Sequence, residues 1–452
     1  MFSVDQKRVT VAGAARSGIA AAELLVRRGA RVTLSDTRAV VAGAAPLRLL
    51  GVRLELGGHT REAFTGADLV VLSPGVPPEL PVVQAARARG IPVIGEIELA
   101  SRWLRGRVIA ITGTKGKSTT TVLTGRVLEA AGFKVTVGGN IGQPLSAQVP
   151  DSTPDTFHVV ETSSFQLEQI DTFHPWIAVM LNLSPDHLDR HPDLESYAAA
   201  KARVFENQVA GDWAVVNADD PAVLALARRG RAAVRLFARR GAIDGGTVLE
   251  NGWIADRRAD AVARLIPLSA VHLLGSHLVD DVMAAATVGA IAGATPAAMT
   301  EAVDAFHGLE HALELVADVG GVRFVNDSKA PNVEAALRSI ESFDRDLVPI
   351  LGGRFKGGDL QRLREPLRAR ARAVVAIGEA TPLIREALAG VIDVSDAATI
   401  GEAVERAYAL AQPSGVVLLA PACASFDMFL DYAERGRKFK EEVRRISHMA
   451  DG

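Results

Sequence analysis

The sequence has few cysteines, no long apolar run and no excess of charge of one sign. Its single cysteine, Cys423, excludes a disulfide within the chain, fits a reducing compartment and is expected to be a buried small residue. No apolar stretch reaches the ~20 residues that span a bilayer, and the first residues lack a secretory leader. The net charge of −3 gives no reason to expect nucleic acid or an anionic membrane as a partner. We therefore expect a cytoplasmic protein without membrane insertion.

What is present is a repeated alternation of strand and helix patterns. Of the 452 residues, 48% are apolar, which is enough for several cores. Short β-branched runs alternate with Ala/Leu/Arg-rich stretches, which predicts an α/β protein built from mostly parallel, doubly wound sheets. The pattern restarts twice, so we predict three domains, 1–105, 106–307 and 308–452. Three such domains imply clefts between them, where ligands usually bind.

The stretch VIAITGTKGKSTTTVLTG, which starts at Val108, reads as a strand, a glycine turn and a helix. It lacks the first glycine of the pattern G-x-x-x-x-G-K-[ST], because Ile111 stands there. Even so, such a turn aims backbone N–H groups at an anion. Lys117 is expected to reach the β- and γ-phosphates of a nucleotide, and Ser118 or Thr119 to offer a hydroxyl to Mg²⁺. An ordinary strand-to-helix turn explains the glycines but not the lysine and the two hydroxyls.

A second glycine turn, VAGAARSG, follows the first predicted strand. It has Gly13 and Gly18 but not the full G-x-G-x-x-G set, so a plain tight turn and a diphosphate site remain equally open. Asp36 lies about 20 residues beyond the turn, where dinucleotide folds place the acid that reads a ribose.

In the middle of the chain, polar residues follow two apolar strands. Glu161 ends one of them and is either a Mg²⁺ ligand or water-orienting group, or a cap of the next helix. The run SPDHLDRHP contains Asp186, His187, Asp189 and His191, and the two histidines would share one face if the run is helical. Lys201 lies on a predicted amphipathic helix, 197–208, and by its spacing alone is an ordinary surface lysine.

Three polar loops follow predicted strands in the last third. They are VNDSKAPN with Lys329, LGGRFKGGD with Arg354 and Lys356, and APACASFDMF. Because they come at strand ends, they are predicted to form one rim that binds a zwitterion or a carboxylate.

Taken together, GTKGKST, ETSSFQLE, SPDHLDRH, YAAAKARVFEN, GSHLVDDVMAAA, NDSKAPN and GGRFKGGD occur in the order found in the Mur ligases, which the chain resembles over essentially its whole length. The resemblance implies a Rossmann-like N-terminal domain, a P-loop ATPase-like central domain and a Rossmann-like C-terminal domain. It also implies a ligase of peptidoglycan precursor synthesis, acting as a monomer. ATP would convert the carboxylate of UDP-N-acetylmuramoyl-L-alanine to an acyl phosphate, which the amine of D-glutamate attacks. The loop NDSKAPN favours D-glutamate over the amino acids added by sibling ligases.

The resemblance also assigns site residues. Catalytic roles fall on Lys117, His187 and Lys201. ATP would contact Gly113, Thr114, Lys115, Gly116, Lys117, Ser118, Thr119, Asn140, Asp281 and Asp327. The uridine diphosphate end would contact Ser17, Asp36, Thr37, Arg38, Ser73 and Gly75, and D-glutamate would contact His187, Lys329, Asn332, Lys356, Ser425 and Phe426. Two Mg²⁺ ions would be held by Ser118, Thr119, Glu161, His187 and Lys201, with a CO₂-derived carbamate on Lys201.

The chain departs from the family pattern at four positions. Lys115 and Asp281 each replace an asparagine, Ala312 replaces an arginine that would contact the ATP phosphates, and Pro331 replaces a threonine. We hypothesise that Lys115 partly compensates for the missing arginine. Two alternatives stay open: a sibling ligase that adds another amino acid, and a non-catalytic nucleotide-binding protein. The departures favour the second alternative, and the retention of Lys117, Glu161, His187 and Lys201 argues against it.

Overall fold

Three β-sheets flanked by helices organise the chain, which confirms the predicted α/β class. The computed structural model describes residues 2–187, 190–241, 243, 245–258, 261–273 and 277–450. By its internal contacts the chain divides into two units, Met1–Val271 with Val279–Ala305, and His272–Leu278 with Phe306–Gly452. No described helix is long and apolar enough to cross a membrane.

The first sheet has five parallel strands in the order β3-β2-β1-β4-β5. Strands β1 and β4 are central, and their apolar residues are buried on both faces, as expected of parallel strands covered by helices. The strands are β1 (Arg8–Ala12), β2 (Arg31–Asp36), β3 (Arg53–Leu56), β4 (Leu69–Leu72) and β5 (Val93–Gly95). The helices are α1 (Arg16–Arg27), α2 (Ala45–Leu49), α3 (Arg61–Thr65), α4 (Pro81–Ala88) and α5 (Glu96–Ser101).

The second sheet has nine strands in the order β14-β13-β12-β11-β10-β9-β6-β8-β7, and all of them run in one direction except β13, which pairs antiparallel with both β12 and β14. Its strands are β6 (Arg107–Thr112), β7 (Lys134–Gly139), β8 (Thr156–Glu161), β9 (Ile177–Met180), β10 (Trp213–Asn217), β11 (Ala233–Ala238), β12 (Gly246–Glu250), β13 (Trp253–Arg258) and β14 (Ala261–Pro267). Its helices are α6 (Lys117–Ala130), α7 (Leu145–Gln148), α8 (Ser164–Leu167), α9 (Leu194–Ala202), α10 (Pro221–Ala227), α11 (His277–Ala292) and α12 (Pro296–Asp304), with 3-10 turns at Val149–Asp151, Arg203–Phe205 and Leu268–Ala270.

The antiparallel edge of this sheet was not predicted. Strands β12 and β13 form a hairpin in which Glu250 pairs with Trp253 across a two-residue turn. Asn251 and Gly252 occupy that turn, both with positive φ, 50° and 76°. Asn-Gly between two short strands is a strong hairpin signal, so the sequence does carry the information.

The third sheet has the order β15-β16-β20-β17-β18-β19 and is parallel except for the edge strand β15. Its strands are β15 (Glu314–Val319), β16 (Val322–Asn326), β17 (Leu347–Gly352), β18 (Val374–Ile377), β19 (Val394–Ala397) and β20 (Val416–Leu419). Its helices are α13 (Val333–Glu341), α14 (Arg364–Arg370), α15 (Thr381–Leu388), α16 (Ile400–Ala411) and α17 (Tyr432–Ala450), with a 3-10 turn at Leu360–Leu363. Cys423 is fully buried and its pKa is raised to about 12 by burial, so the expectation of an inert core residue is confirmed.

The first two sheets are joined through a buried carboxylate. Glu98 on α5 accepts backbone N–H bonds from Asp171, Thr172 and Phe173 at 2.8–3.0 Å, and it pairs with Arg102. Because these bonds lie in the interior, they fix the first sheet against the second. Any site between these two sheets therefore has a defined geometry.

Candidate active site

Four neighbouring strands of the second sheet, β9, β6, β8 and β7, bring their carboxyl ends to one edge, where α/β folds collect ligands. The predicted phosphate loop leaves β6 there and enters α6 at Lys117. Gly116 ends the loop with a φ of +81°, and any side chain on it would collide with Asp281. A glycine is therefore required at this position both by the backbone conformation and by the lack of space.

A clamp that sequence reasoning missed holds this loop in shape. The side-chain oxygen of Asn182 accepts the backbone N–H groups of Thr114, at 3.1 Å, and Lys115, at 2.8 Å. Ser184 donates its N–H to the Thr114 hydroxyl at 3.0 Å, and the Tyr197 hydroxyl donates to the same atom at 3.3 Å. Asn182 and Ser184 follow β9 directly, so a polar pair at the end of a buried strand was the available signal.

Two lysine amines converge on one carbonyl of the loop. The Nζ atoms of Lys117 and Lys201 donate to the Gly113 oxygen at 3.1 and 2.7 Å. Burial lowers the pKa of both amines, that of Lys201 to about 7, with the Lys117 charge lowering it further. The negative charges of Asp186 and Glu161 act in the opposite direction and raise the pKa of both amines. The surface position that spacing suggested for Lys201 is wrong, because the side chain is 1% exposed.

A carboxylate lies beside these amines. Glu161, at the end of β8, accepts a hydrogen bond from the Ser118 hydroxyl at 2.7 Å and another from the Asn140 amide at 2.7 Å. The alternative in which Glu161 caps the following helix does not apply, because Ser163 caps α8. A carboxylate and a hydroxyl in contact are oxygen donors of the type that Mg²⁺ binds. Among the described residues, no group of three or more His, Cys, Asp or Glu side chains has metal-binding geometry.

His187 does not have the helical backbone that would place both histidines on one face of a helix. It has a φ of +54°, and its carbonyl accepts the N–H groups of Arg190 and His191. His187 is exposed and lies 3.8 Å from Asp186, whereas His191 is buried and contacts the Ser164 hydroxyl at 3.0 Å. The left-handed conformation of His187 interrupts the helical pattern. Asp189 lies outside the described residues.

A cavity of about 510 Å³ runs between the first two sheets, from the turn after β1 to the loop after β7. All six residues predicted for the uridine diphosphate end line it: Ser17, Asp36, Thr37, Arg38, Ser73 and Gly75. Asn140 lines the far end, where its side chain contacts Glu161. Arg16, which was not predicted, also lines the cavity and donates to the Gly142 carbonyl at 3.2 Å.

Both carboxylate oxygens of Asp36 are already bonded within the protein, unlike those of an acid that is free to bind a ribose. Its Oδ2 accepts the N–H of Ala14 at 2.6 Å, and its two oxygens take the guanidinium of Arg38 at 2.8 and 2.9 Å. The hydrogen bonds from Arg38 hold the pKa of Asp36 far below its usual range. Asp36 thus anchors the glycine turn and aims Arg38, whose side chain is half-exposed, along the cavity wall.

The C-terminal unit has its own cluster of predicted residues. Lys329 and Lys356 are exposed, and the Lys356 amine lies over the Phe426 ring, 5.1 Å from its centroid. Ser425 is buried. The Asn332 oxygen caps α13 by accepting the Ala335 N–H at 2.9 Å.

Asp327, predicted to contact the nucleotide, is buried in the same unit. It accepts the N–H of Leu313 at 3.2 Å and the hydroxyl of Ser339. Burial raises its pKa. In this structure Asp327 braces the loop after β16.

Three family models match consecutive parts of the chain. They are the Mur ligase MurD-like N-terminal domain over residues 7–95, the Mur ligase middle domain over 111–289 and the Mur ligase glutamate ligase domain over 313–423. The chain belongs to the Mur ligase family. Two curated relatives bear the name UDP-N-acetylmuramoylalanine–D-glutamate ligase. The protein from Acidobacterium capsulatum is 46% identical over 97% of this chain and 96% of its own length, and that from Koribacter versatilis is 45% identical over 99% of each.

Solved Mur ligase structures share the fold. UDP-N-acetylmuramate-alanine ligase MurC from Thermotoga maritima superposes with a TM-score of 0.58 at 19% identity, covering 97% of this chain and 100% of that one. MurF ligase from the same organism, in complex with ADP, superposes with a TM-score of 0.57 at 16% identity, covering 98% of this chain and 96% of that one. The resemblance identified from the sequence motifs is thus confirmed, together with the three-part α/β fold.

One departure of this Mur ligase from the family pattern has a clear structural setting. Asp281 on α11 is 3% exposed and packs against Gly116 under the phosphate loop. Burial raises its pKa well above the usual value, and the neighbouring Asp280 adds to the shift. Burial thus favours the protonated form of Asp281, which would resemble the amide it replaces in having both a donor and an acceptor.

Proposed function

We propose that this Mur ligase joins D-glutamate to UDP-N-acetylmuramoyl-L-alanine with the use of ATP, in cytoplasmic peptidoglycan precursor synthesis. The observation that carries the proposal is the cavity lined from Arg38 to Asn140, because it leads from the predicted uridine diphosphate site to Asn140, whose amide shares Glu161 with Ser118 at the start of α6. The names of the near full-length relatives support the same reaction. We further propose domain boundaries at 105/106 and 307/308 and action as a monomer.

The first step places the L-alanyl carboxylate at the Asn140 end of the cavity, facing the γ-phosphate of ATP. The carboxylate oxygen attacks phosphorus, ADP leaves, and an acyl phosphate forms. Such a transfer depends on positive charge placed in advance rather than on a covalent protein group. Lys117 supports this role, since its buried amine and the N–H groups that open α6 lie at the same edge of the sheet.

In the second step the D-glutamate amine attacks the acyl carbon, a tetrahedral intermediate loses phosphate, and the amine proton is released to solvent. Lys329, Lys356 and Ser425 are proposed to hold the two carboxylates of D-glutamate, with Phe426 beside them. Asn332 and His187 complete the proposed set, and the Asn332 oxygen also caps α13.

Two magnesium sites are part of the proposal. Ser118, Thr119 and Glu161 would hold one ion, and His187 with a carbamate on Lys201 would hold the other. When bound, Mg²⁺ neutralises phosphate charge. A carbamate forms when a neutral amine attacks CO₂ and loses a proton. Lys201 supports that chemistry, because its buried amine has a pKa of about 7 and is half neutral at that pH.

Phosphate release tests the proposal directly. The protein is supplied with ATP, Mg²⁺ and UDP-N-acetylmuramoyl-L-alanine, and release is compared for D-glutamate, L-glutamate, diaminopimelate and L-lysine. We expect release with D-glutamate alone, together with the ligated product by mass spectrometry. Release with diaminopimelate or L-lysine instead would assign a sibling activity. No release with any amino acid would support the non-catalytic alternative.

A further inference from the structure

One arginine is buried at the centre of the C-terminal unit. Arg435 lies in the first turn of α17 and is 2% exposed. Its Nε donates to the Ser328 hydroxyl at 2.9 Å, and one terminal nitrogen donates to the Ser328 carbonyl at 2.9 Å. The other terminal nitrogen donates to the Cys423 carbonyl at 3.1 Å. The guanidinium thus connects two loops that are about 95 residues apart in sequence.

All three partners of this guanidinium are neutral. Among the residues that the structure describes, no carboxylate forms an ion pair with Arg435. Burial lowers its pKa to about 10, so it keeps its charge at neutral pH. The Asp427 carboxylate acts on this guanidinium electrostatically but forms no ion pair with it. A buried cation that is held by neutral partners is costly, which sets Arg435 apart from the exposed arginines further along α17.

The loops that Arg435 holds are those that carry the predicted D-glutamate residues. Ser328 immediately precedes Lys329, and Cys423 lies two residues before Ser425. The third loop is also adjacent, since a β-carbon built on Gly353 would lie 3.3 Å from a terminal nitrogen of Arg435. Gly353 begins the segment that leads to Lys356. One side chain therefore lies at the base of all three loops.

We propose that Arg435 is a positioning residue for the amino-acid site: its guanidinium fixes the loops at Ser328, Cys423 and Gly353 in register and places a positive charge beneath a dicarboxylate substrate. The inference rests on the proposed D-glutamate activity. Arg435 acts through the loop residues that would contact the substrate. A planar fork with several donors in fixed directions suits this task, whereas a lysine amine has one nitrogen on a flexible stem.

The test compares R435M, R435K and the control R437M. Arg437 is on the same helix but exposed, so its loss removes an arginine without touching the loops. We expect R435M to raise the KM for D-glutamate by about tenfold or more, with the KM values for ATP and the uridine substrate within about twofold. R435K, which keeps the charge, should fall between R435M and wild type, and R437M should match wild type.

Hydrogen exchange supplies a readout that needs no substrate. Faster exchange confined to residues 326–329, 351–356 and 421–426 in R435K is the expected result. Unchanged exchange and unchanged D-glutamate KM in R435K would overturn the inference, as would an equal rise in all three KM values, which would indicate a general structural role. If R435M does not fold, the exchange and the D-glutamate KM of R435K test the positioning role. If wild type fails to ligate D-glutamate, the proposed function fails, while the exchange measurement still judges the positioning role.

Discussion

The cations of the central phosphate loop and those of the C-terminal rim differ in where their charge resides. Lys117 and Lys201 are largely buried and donate to a backbone carbonyl, so their positions are set before any ligand arrives. Lys329 and Lys356 are exposed, and the buried charge beneath them belongs to Arg435. The difference suggests that the central site is preorganised for phosphoryl transfer, while the rim captures a small amino acid from solvent through flexible side chains on rigid loops.

The largest effect on activity is expected from a substitution in the central phosphate loop. Lys117→Met removes the partly buried amine at the start of α6, and we expect the specificity constant for ATP to fall by about 10²–10³-fold. Steady-state phosphate release measures this. The control is Lys134→Met, an exposed lysine on β7 away from the loop edge. A loss of less than tenfold would mean that the loop does not depend on a preplaced charge.

A smaller and more selective effect is expected at the rim. Lys356→Met should raise the KM for D-glutamate by about 10–100-fold, the range for losing a hydrogen bond to a charged group, and leave the KM for ATP and the melting temperature near wild type. Arg362→Met, exposed on the following turn and paired with Glu334, is the matched control. If the KM for ATP rose equally, the two regions would not be functionally separate.

The pKa of Lys201 predicts a pH-dependent modification. Its folded-state pKa of about 7 lies below the usual lysine value of 10.5, so the neutral amine is the minor form at pH 6 and the major form at pH 8. With ¹³C-labelled bicarbonate, the carbamate signal measured by NMR at a fixed concentration of dissolved CO₂ should rise by more than about tenfold over this interval until the site saturates, because higher pH favours both the neutral amine and the proton release that accompanies carbamate formation. Lys201→Arg should give no signal at this position. A signal that persists in that variant would place the carbamate elsewhere.

The smallest effect tests the hypothesis about Lys115. This lysine is exposed on the phosphate loop, and within the part of the chain that the structure describes its hydrogen bonds run through its backbone to Asn182. Lys115→Asn should raise the KM for ATP about two- to fivefold, because an exposed charge is screened by solvent. An unchanged KM would show that Lys115 does not compensate for the arginine replaced by Ala312.

Much of this molecule was predictable from local pattern. Strands such as β6 and β17 are continuous apolar runs closed by glycine, and such runs are typical of buried parallel strands. The hairpin between β12 and β13 was missed although its Asn-Gly turn is in the sequence. The condition that the run with His187 and His191 be helical is not met at His187, which has a left-handed backbone that spacing alone does not reveal.

By itself the sequence determined the α/β class, the three-part organisation and, through its motifs, the family, because these depend on residue order and periodicity. Only the tertiary structure decided that Lys201 is buried beside Lys117, that Asn182 clamps the phosphate loop and that Arg435 unites three distant loops. Each of these depends on contacts between residues far apart in the chain. Burial and the pKa shifts that follow from it arise only when the chain folds and removes those groups from water.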